Sequence, residues 1–234
     1  VEGLFTLRHQ GELAVLVKKW VIVSWVILVS LPVKADTLIT MMEGSGQHGT
    51  DASVATDRAG KEVQIWSRPD NMVRVNEGSK MIFSIDRGMT YMIDDDKKTC
   101  RALKHPEAHE VESSSNDAIE IRKTGDSRRV GEWDAEGYAM TVPLGGPDTT
   151  LEVAFWVTGE LTAGLDTYRA NFAALTTPQT AWMAKTLELG GYPVYQESKF
   201  GQMTMWSEVL SVTEEQAPDG IYQVPSGYIG CSAD

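Results

Sequence analysis

The chain has 234 residues, 33 of them acidic and 21 basic, for a net charge of −12. So acidic a surface repels nucleic-acid phosphate and anionic lipid, and it helps keep a protein with apolar binding surface in solution. The length suits one large domain or two small ones.

Residues 17–35, VKKWVIVSWVILVSLPVKA, have the layout of a secretory signal. Lys18 and Lys19 form a positive lead, Trp20 to Leu31 an apolar run, and Val33-Lys34-Ala35 puts small residues at the −3 and −1 positions. Cleavage is expected before Asp36, with the mature protein in the periplasm or secreted. The apolar run falls short of the roughly 20 residues that a spanning helix needs. Residues 1–16 have no place in such a signal and are read as translated upstream leader, with the true start at Val15 or Val17. Processing would remove Arg8, Lys18, Lys19 and Lys34 together with Glu2 and Glu12, leaving a net charge of −14. Residues 36–234 are then expected to form a single domain.

Asp36–Glu43 reads as the first strand, followed by the loop Gly44-Ser45-Gly46-Gln47-His48-Gly49 and a second strand near Ala52–Thr56. The loop matches Gly-x-Gly-x-x-Gly, but a dinucleotide site needs a helix directly behind it. Thr50-Asp51-Ala52-Ser53-Val54 has no helical stripe, so a hairpin loop is expected there. From Gly60 to Leu103 short alternating strands are separated by turn residues. Met81, Phe83 and Ile85 share one side within Lys80–Asp86, and Met89, Tyr91 and Ile93 one side within Met89–Asp94. Period two with these turns predicts an antiparallel meander with one buried face.

His105–Asp117 is polar. Its His105 and His109, with Glu112 near, could share a helix face and hold a metal; a solvated acidic loop explains the stretch as well. No metal or other cofactor is expected. Strand patterns resume at Ala118–Lys123, turn at Thr124-Gly125-Asp126, pair back through Ser127–Val130, and continue at Gly137–Val142 and Thr150–Thr158. The period then changes. Leu165, Tyr168, Phe172 and Leu175 recur at steps of three and four, which predicts a helix over 165–175. A second helix is expected from Pro178, capped by Thr177, to about Leu189, with Trp182, Met183 and Leu187 on its apolar side and a stop at Gly190-Gly191. Strands return at Gln202–Val212 and Ile221–Val224. Strands interrupted once by helices imply an α+β, mainly β, antiparallel sheet with helices on one face.

Cys100 and Cys231 would meet an oxidising compartment, where they either pair and tie the meander to the C-terminus or remain two thiols. No Ser/His/Asp or Cys/His constellation is specified, and a binding role rather than an enzyme is expected. Methionine suits surfaces that fit variable apolar ligands. The candidate lining of such a surface is Met81, Phe83, Ile85, Met140, Phe155, Met203, Met205, Trp182, Met183 and Leu187; ordinary core is the competing reading for each.

Ile65-Trp66-Ser67-Arg68-Pro69, a turn, an alternating strand, and Asp86-Arg87-Gly88-Met89-Thr90-Tyr91 resemble the bacterial lipoprotein-carrier (LolA-like) fold. Tyr222-Gln223-Val224-Pro225-Ser226-Gly227-Tyr228 is similar to that fold's closing segment. The whole mature chain, with Ile121-Arg122-Lys123-Thr124-Gly125, Phe155-Trp156-Val157-Thr158 and Gly191-Tyr192-Pro193, resembles an uncharacterised family of periplasmic proteins assigned to that superfamily. The resemblance implies a strongly curved, incomplete barrel whose concave face is covered by helices, with acyl chains entering between. It implies a hydrophobic ligand or lipidated protein as partner, and a membrane-bound donor or acceptor protein. It maps the latch of the lid helices onto Arg68. Lipoprotein carriers begin with a lid helix, whereas here Asp36 stands almost directly at a strand. The lid would come from residues 165–189 alone. The rival expectation is an envelope interaction module with a filled core and no ligand.

Overall fold

The computed structural model describes residues 35–47, 60–105, 119–143, 149–162, 164–175 and 185–231. Eleven strands form one sheet: β1 (Asp36–Gln47), β2 (Lys61–Arg68), β3 (Asn71–Asn76), β4 (Ser79–Ser84), β5 (Met89–Asp94), β6 (Thr99–Lys104), β7 (Ile121–Val130), β8 (Trp133–Pro143), β9 (Thr150–Thr158), β10 (Tyr192–Phe200) and β11 (Met203–Glu215). The order across it is β6-β5-β4-β3-β2-β1-β11-β10-β9-β8-β7, every pair antiparallel. Among the described residues the sheet does not close into a barrel: β6 and β7 are its two edges and do not pair. The fold is mainly β; among the described residues it has one regular helix, α1 (Leu165–Ala174), and a 3-10 turn at Leu187–Leu189.

The two faces of the sheet follow from the register. Leu38, Trp66, Val73, Ile82 and Tyr91 are successive cross-strand partners and point one way. Trp66, Val73, Ile82, Ile93 and Cys100 are buried there beneath Ala217, Ile221, Tyr222, Val224 and Tyr228 of the C-terminal segment. This is the tail face. A disulfide between Cys100 and Cys231 clips the segment down, with Cα atoms 4.9 Å apart. It closes a loop of 131 residues, and chain-entropy reasoning gives such a loop on the order of 4–5 kcal/mol. The Cys100 amide also donates to the Ile229 carbonyl at 2.8 Å, so the tail adds a short parallel bridge to the β6 edge.

The opposite face carries α1. Thr37 and Ser67 are cross-strand partners on it, and both are buried. Gly164 precedes the helix with a positive φ of 65°, and a Cβ there would lie 2.0 Å from Thr37 Oγ1. Only glycine lets the helix start this close to β1. Asp166 lies in the first turn, where a carboxylate favours the helix dipole. Tyr168 packs into a core that contains Ile39, Leu161, Tyr192, Val194 and Val209. Further along this helix face, Met140, Val142, Val153, Phe155 and Val157 form a second core with Leu189 against it.

Several expectations are met and several corrected. The spans Thr150–Thr158 and 165–175 agree with the structure, the helix ending at Ala174 with Leu175 as its cap. The stop at Gly190 is present, with φ 76°. β1 does not end at Glu43; it continues through Gly44-Ser45-Gly46 to Gln47, paired with β11. The glycine there is set by contact, since a Cβ on Gly44 would come within 2.7 Å of the Trp206 indole. The expected turn at Thr124–Asp126 is a register shift inside β7, and Ser127–Val130 carries that strand onward to a turn before Trp133. Tyr192–Phe200 is a strand that the pattern did not reveal. Ile221–Val224 is not a strand; its backbone turns, with Ile221 bonded to Pro218 and Gln223 to Gly220. In β4 the fully buried side is that of Ile82, with Met81 and Phe83 half-buried on the helix face. The expected strand at Ala52–Thr56, His109, Glu112 and most of the second helix, including Trp182 and Met183, lie outside the described residues, as do residues 1–34.

Candidate functional site

Along β1 the helix face changes character from one end to the other. Thr37 and Ile39 sit under α1 and its core, whereas Glu43 and Ser45 line an open trough. At about 3.4 Å per residue, Thr37 and Glu43 are roughly 20 Å apart. The trough has a volume of about 550 Å3. Val63, Leu151 and Met205 supply its apolar side chains, and Glu43, Lys61, Arg74, Asn76, Gln196 and Ser198 its polar groups. Arg74 comes from β3 and Leu151 from β9, five strand spacings apart. A flat sheet would separate them by roughly 24 Å; that both border one hollow shows the sheet bends toward the helix face.

Arg74 Nη2 donates to Glu43 Oε2 on the floor of the trough. Lys61 is the cross-strand partner of Glu43. The register adds Phe200 and Met203 to the same face beside Met205, all exposed. Met92 and Leu103 are exposed on that face across β5 and β6. A smaller hollow of about 200 Å3 shares Arg74 and Asn76 with the trough and runs on to Met81 and Met92.

The other end is clamped. Asn171 of α1 is 3% exposed, and its Nδ2 donates to Ser67 Oγ at 3.0 Å, to the Arg68 carbonyl at 2.9 Å and to the Asn71 carbonyl at 3.2 Å. Arg169 Nη2 donates to the Gly191 carbonyl at 3.1 Å, and Lys185 Nζ to the Ile119 carbonyl at 2.9 Å. Burial pushes the Tyr168 phenol up to about 12 and the Tyr192 phenol well above its ordinary value; their rings lie 5.2 Å apart.

The residues singled out from sequence fall in several places. Met205 lines the trough and Met203 is exposed beside it; Met81 lines the smaller hollow; Phe83 is half-buried on the same face. Ile85 follows β4, and its amide donates to the Asp70 carbonyl. Met140 and Phe155 are buried in the core cluster against which Leu189 packs. Leu187 opens the 3-10 turn. Arg68 lies on the tail face, its guanidinium 4.0 Å above the Tyr222 ring. Burial, and then the Asp36 carboxylate, raise the Tyr222 phenol, while Arg68 pulls it the other way. The helix is latched beside Arg68, through that residue's carbonyl and Asn171. His105 Nε2 lies 2.8 Å from Thr90 Oγ1, and burial lowers its pKa.

The profile of a domain of unknown function, DUF4412, matches residues 39–228. The chain belongs to the DUF4412 family. No curated protein matches it. The DUF4412 match spans from inside β1 to Tyr228, so both walls of the trough, α1 and most of the tail fall within it. Asn171 was detectable in principle, because asparagine is a weak helix former and stands on the helix's apolar side between Tyr168 and Phe172. Glu43, Lys61, Arg74 and Gln196 carried no such signal; only the register brings them together.

Proposed function

We propose that this protein is an exported binding or carrier protein, of LolA-like architecture, that shelters the apolar part of a ligand in the trough of its bent sheet. The observation that carries the reading is the trough itself. Its volume of about 550 Å3 lies within the usual range of ligand sites, roughly 300–1,000 Å3, and exposed Met203, Met205 and Phe200 stand on its face. Apolar burial at about 25 cal/mol per Å2 is enough to retain an acyl chain with few polar contacts. The opening lies at the end away from α1, so a ligand enters there without undoing the Asn171 clamp. The protein acts by binding rather than by catalysis, in the periplasm or outside the cell, and its partners are a hydrophobic ligand or lipidated protein and a membrane-bound donor or acceptor.

Native mass spectrometry and lipid extraction of protein purified from its native compartment test this. Co-purified lipid, or uptake of an added fatty acid, is expected. Clean protein that also ignores fatty acids overturns the reading. A second reading, an envelope interaction module, draws on the solid packing of Met140 and Phe155 with Leu189. It takes the exposed apolar row as a protein-docking surface and predicts no internal ligand.

A further inference from the structure

The charges of the trough contradict the charge of the chain. The protein carries a net −12, yet the trough floor has two cations, Lys61 and Arg74, against one carboxylate, Glu43. Glu43 is already engaged with Arg74, and Lys61 is its neighbour across the β1–β2 ladder. Val63, one strand step from Lys61 on the same face, begins the apolar wall that Met205 and Leu151 continue. A cationic surplus next to an apolar wall matches one class of ligand.

We propose that the trough selects an anionic, single-chain amphiphile, with its acid group at Lys61 and Arg74 and its chain on Met205 and Leu151, above the buried Val63. This rests on the trough being the binding site and adds the chemistry of the head group. An acid group supplies the missing negative charge. Its oxygens accept from the Lys61 ammonium and from the guanidinium donors that Glu43 leaves open, and such charge-assisted bonds are the strong ones. A neutral head leaves the surplus unanswered, and a cationic head adds to it. A carboxylate and a phosphate monoester both satisfy the arrangement, so both are tested.

The experiment uses the full chain with 13C-methyl-labelled methionine and four twelve-carbon probes: dodecanoate, dodecyl phosphate, dodecanol and dodecyltrimethylammonium. Met205 methyl shifts report occupancy, and calorimetry gives affinity. At least one of the two anions is expected to bind about tenfold more tightly than dodecanol, as a charged hydrogen bond implies, with the cation weakest. Lys61→Gln, an exposed position at the start of β2, should remove most of that preference. Arg74→Gln should act in the same direction. Equal affinity for all four heads, or an anion preference that survives both substitutions, overturns the head-group assignment while leaving the trough as the site. Met205 unmoved by every probe overturns both.

Discussion

Asn171 does at one point what a lid hinge would have to undo. Its amide nitrogen has two hydrogens and faces three acceptors, Ser67 Oγ and the carbonyls of Arg68 and Asn71. All lie where β2 turns into β3, so the bond set holds the helix to the turn rather than to one strand. Asn171→Ala leaves the buried Ser67 hydroxyl and two part-buried carbonyls without this donor, and the cost should be about 1–3 kcal/mol, read from urea denaturation. Asn171→Asp is the sharper test because it is nearly isosteric. It sets a carboxylate against two carbonyl oxygens and should destabilise more than alanine at pH 7. The fold raises that carboxyl's pKa, so the penalty is full above it and shrinks as protonation restores a donor. The gap between the two variants should therefore narrow as pH falls toward about 4. Identical stabilities for Asp and wild type across this range would show that Asn171 is no clamp.

At the scale of elements, α1 is held by aromatic packing as much as by the clamp. Tyr168 stacks near Phe172 and meets Tyr192, with ring centroids 5.6 and 5.2 Å apart. Burial holds the phenols neutral, so the fold raises their pKa above the unfolded value. The sign follows directly: this contribution is whole below pH 10 and is lost as pH climbs from 10 toward about 12. Alkaline unfolding should coincide with tyrosinate absorbance near 295 nm, and Tyr168→Phe should make the loss shallower. Free-phenol titration at pH 10 with the helix still docked would contradict it. The period-three-and-four pattern that placed α1 was legible because Tyr168 and Phe172 really do face one way. Thr150–Thr158 was legible for the same reason, its alternation running unbroken into a packed core. β10 was hidden because a register shift between Pro193 and Tyr195 breaks its period and Gln196 to Lys199 are all polar. β1 was cut short because Gly44 and Gly46 imitate a loop, whereas Gly44 makes room for the Trp206 ring. Ile221 to Val224 misled in the opposite sense: their apolar side chains cover the tail face while the backbone turns.

Among the described residues, the helix face of the bent sheet has a buried part around Phe155 and an open part around Met205. The predicted lining spread over both because methionine and phenylalanine look alike in sequence wherever they end up. Phe155 is 1% exposed and Met205 43%, although Val153 and Met205 are both cross-strand partners of Ser198. This separates stability from binding. Phe155→Ala removes a packed ring and should cost about 3–5 kcal/mol, lowering the denaturation midpoint whether or not a ligand is present. Met205→Ser removes a side chain that touches solvent and should change stability by no more than about 0.5 kcal/mol. Binding should respond in the reverse order: Met205→Ser weakens dodecanoate, while Phe155→Ala, measured where it is still folded, leaves it close to wild type. The pair decides between the carrier and the filled module. If Met205→Ser leaves amphiphile binding intact and Phe155→Ala abolishes it in folded protein, the hollow that matters lies in the core by Leu189. The trough would then be a surface groove.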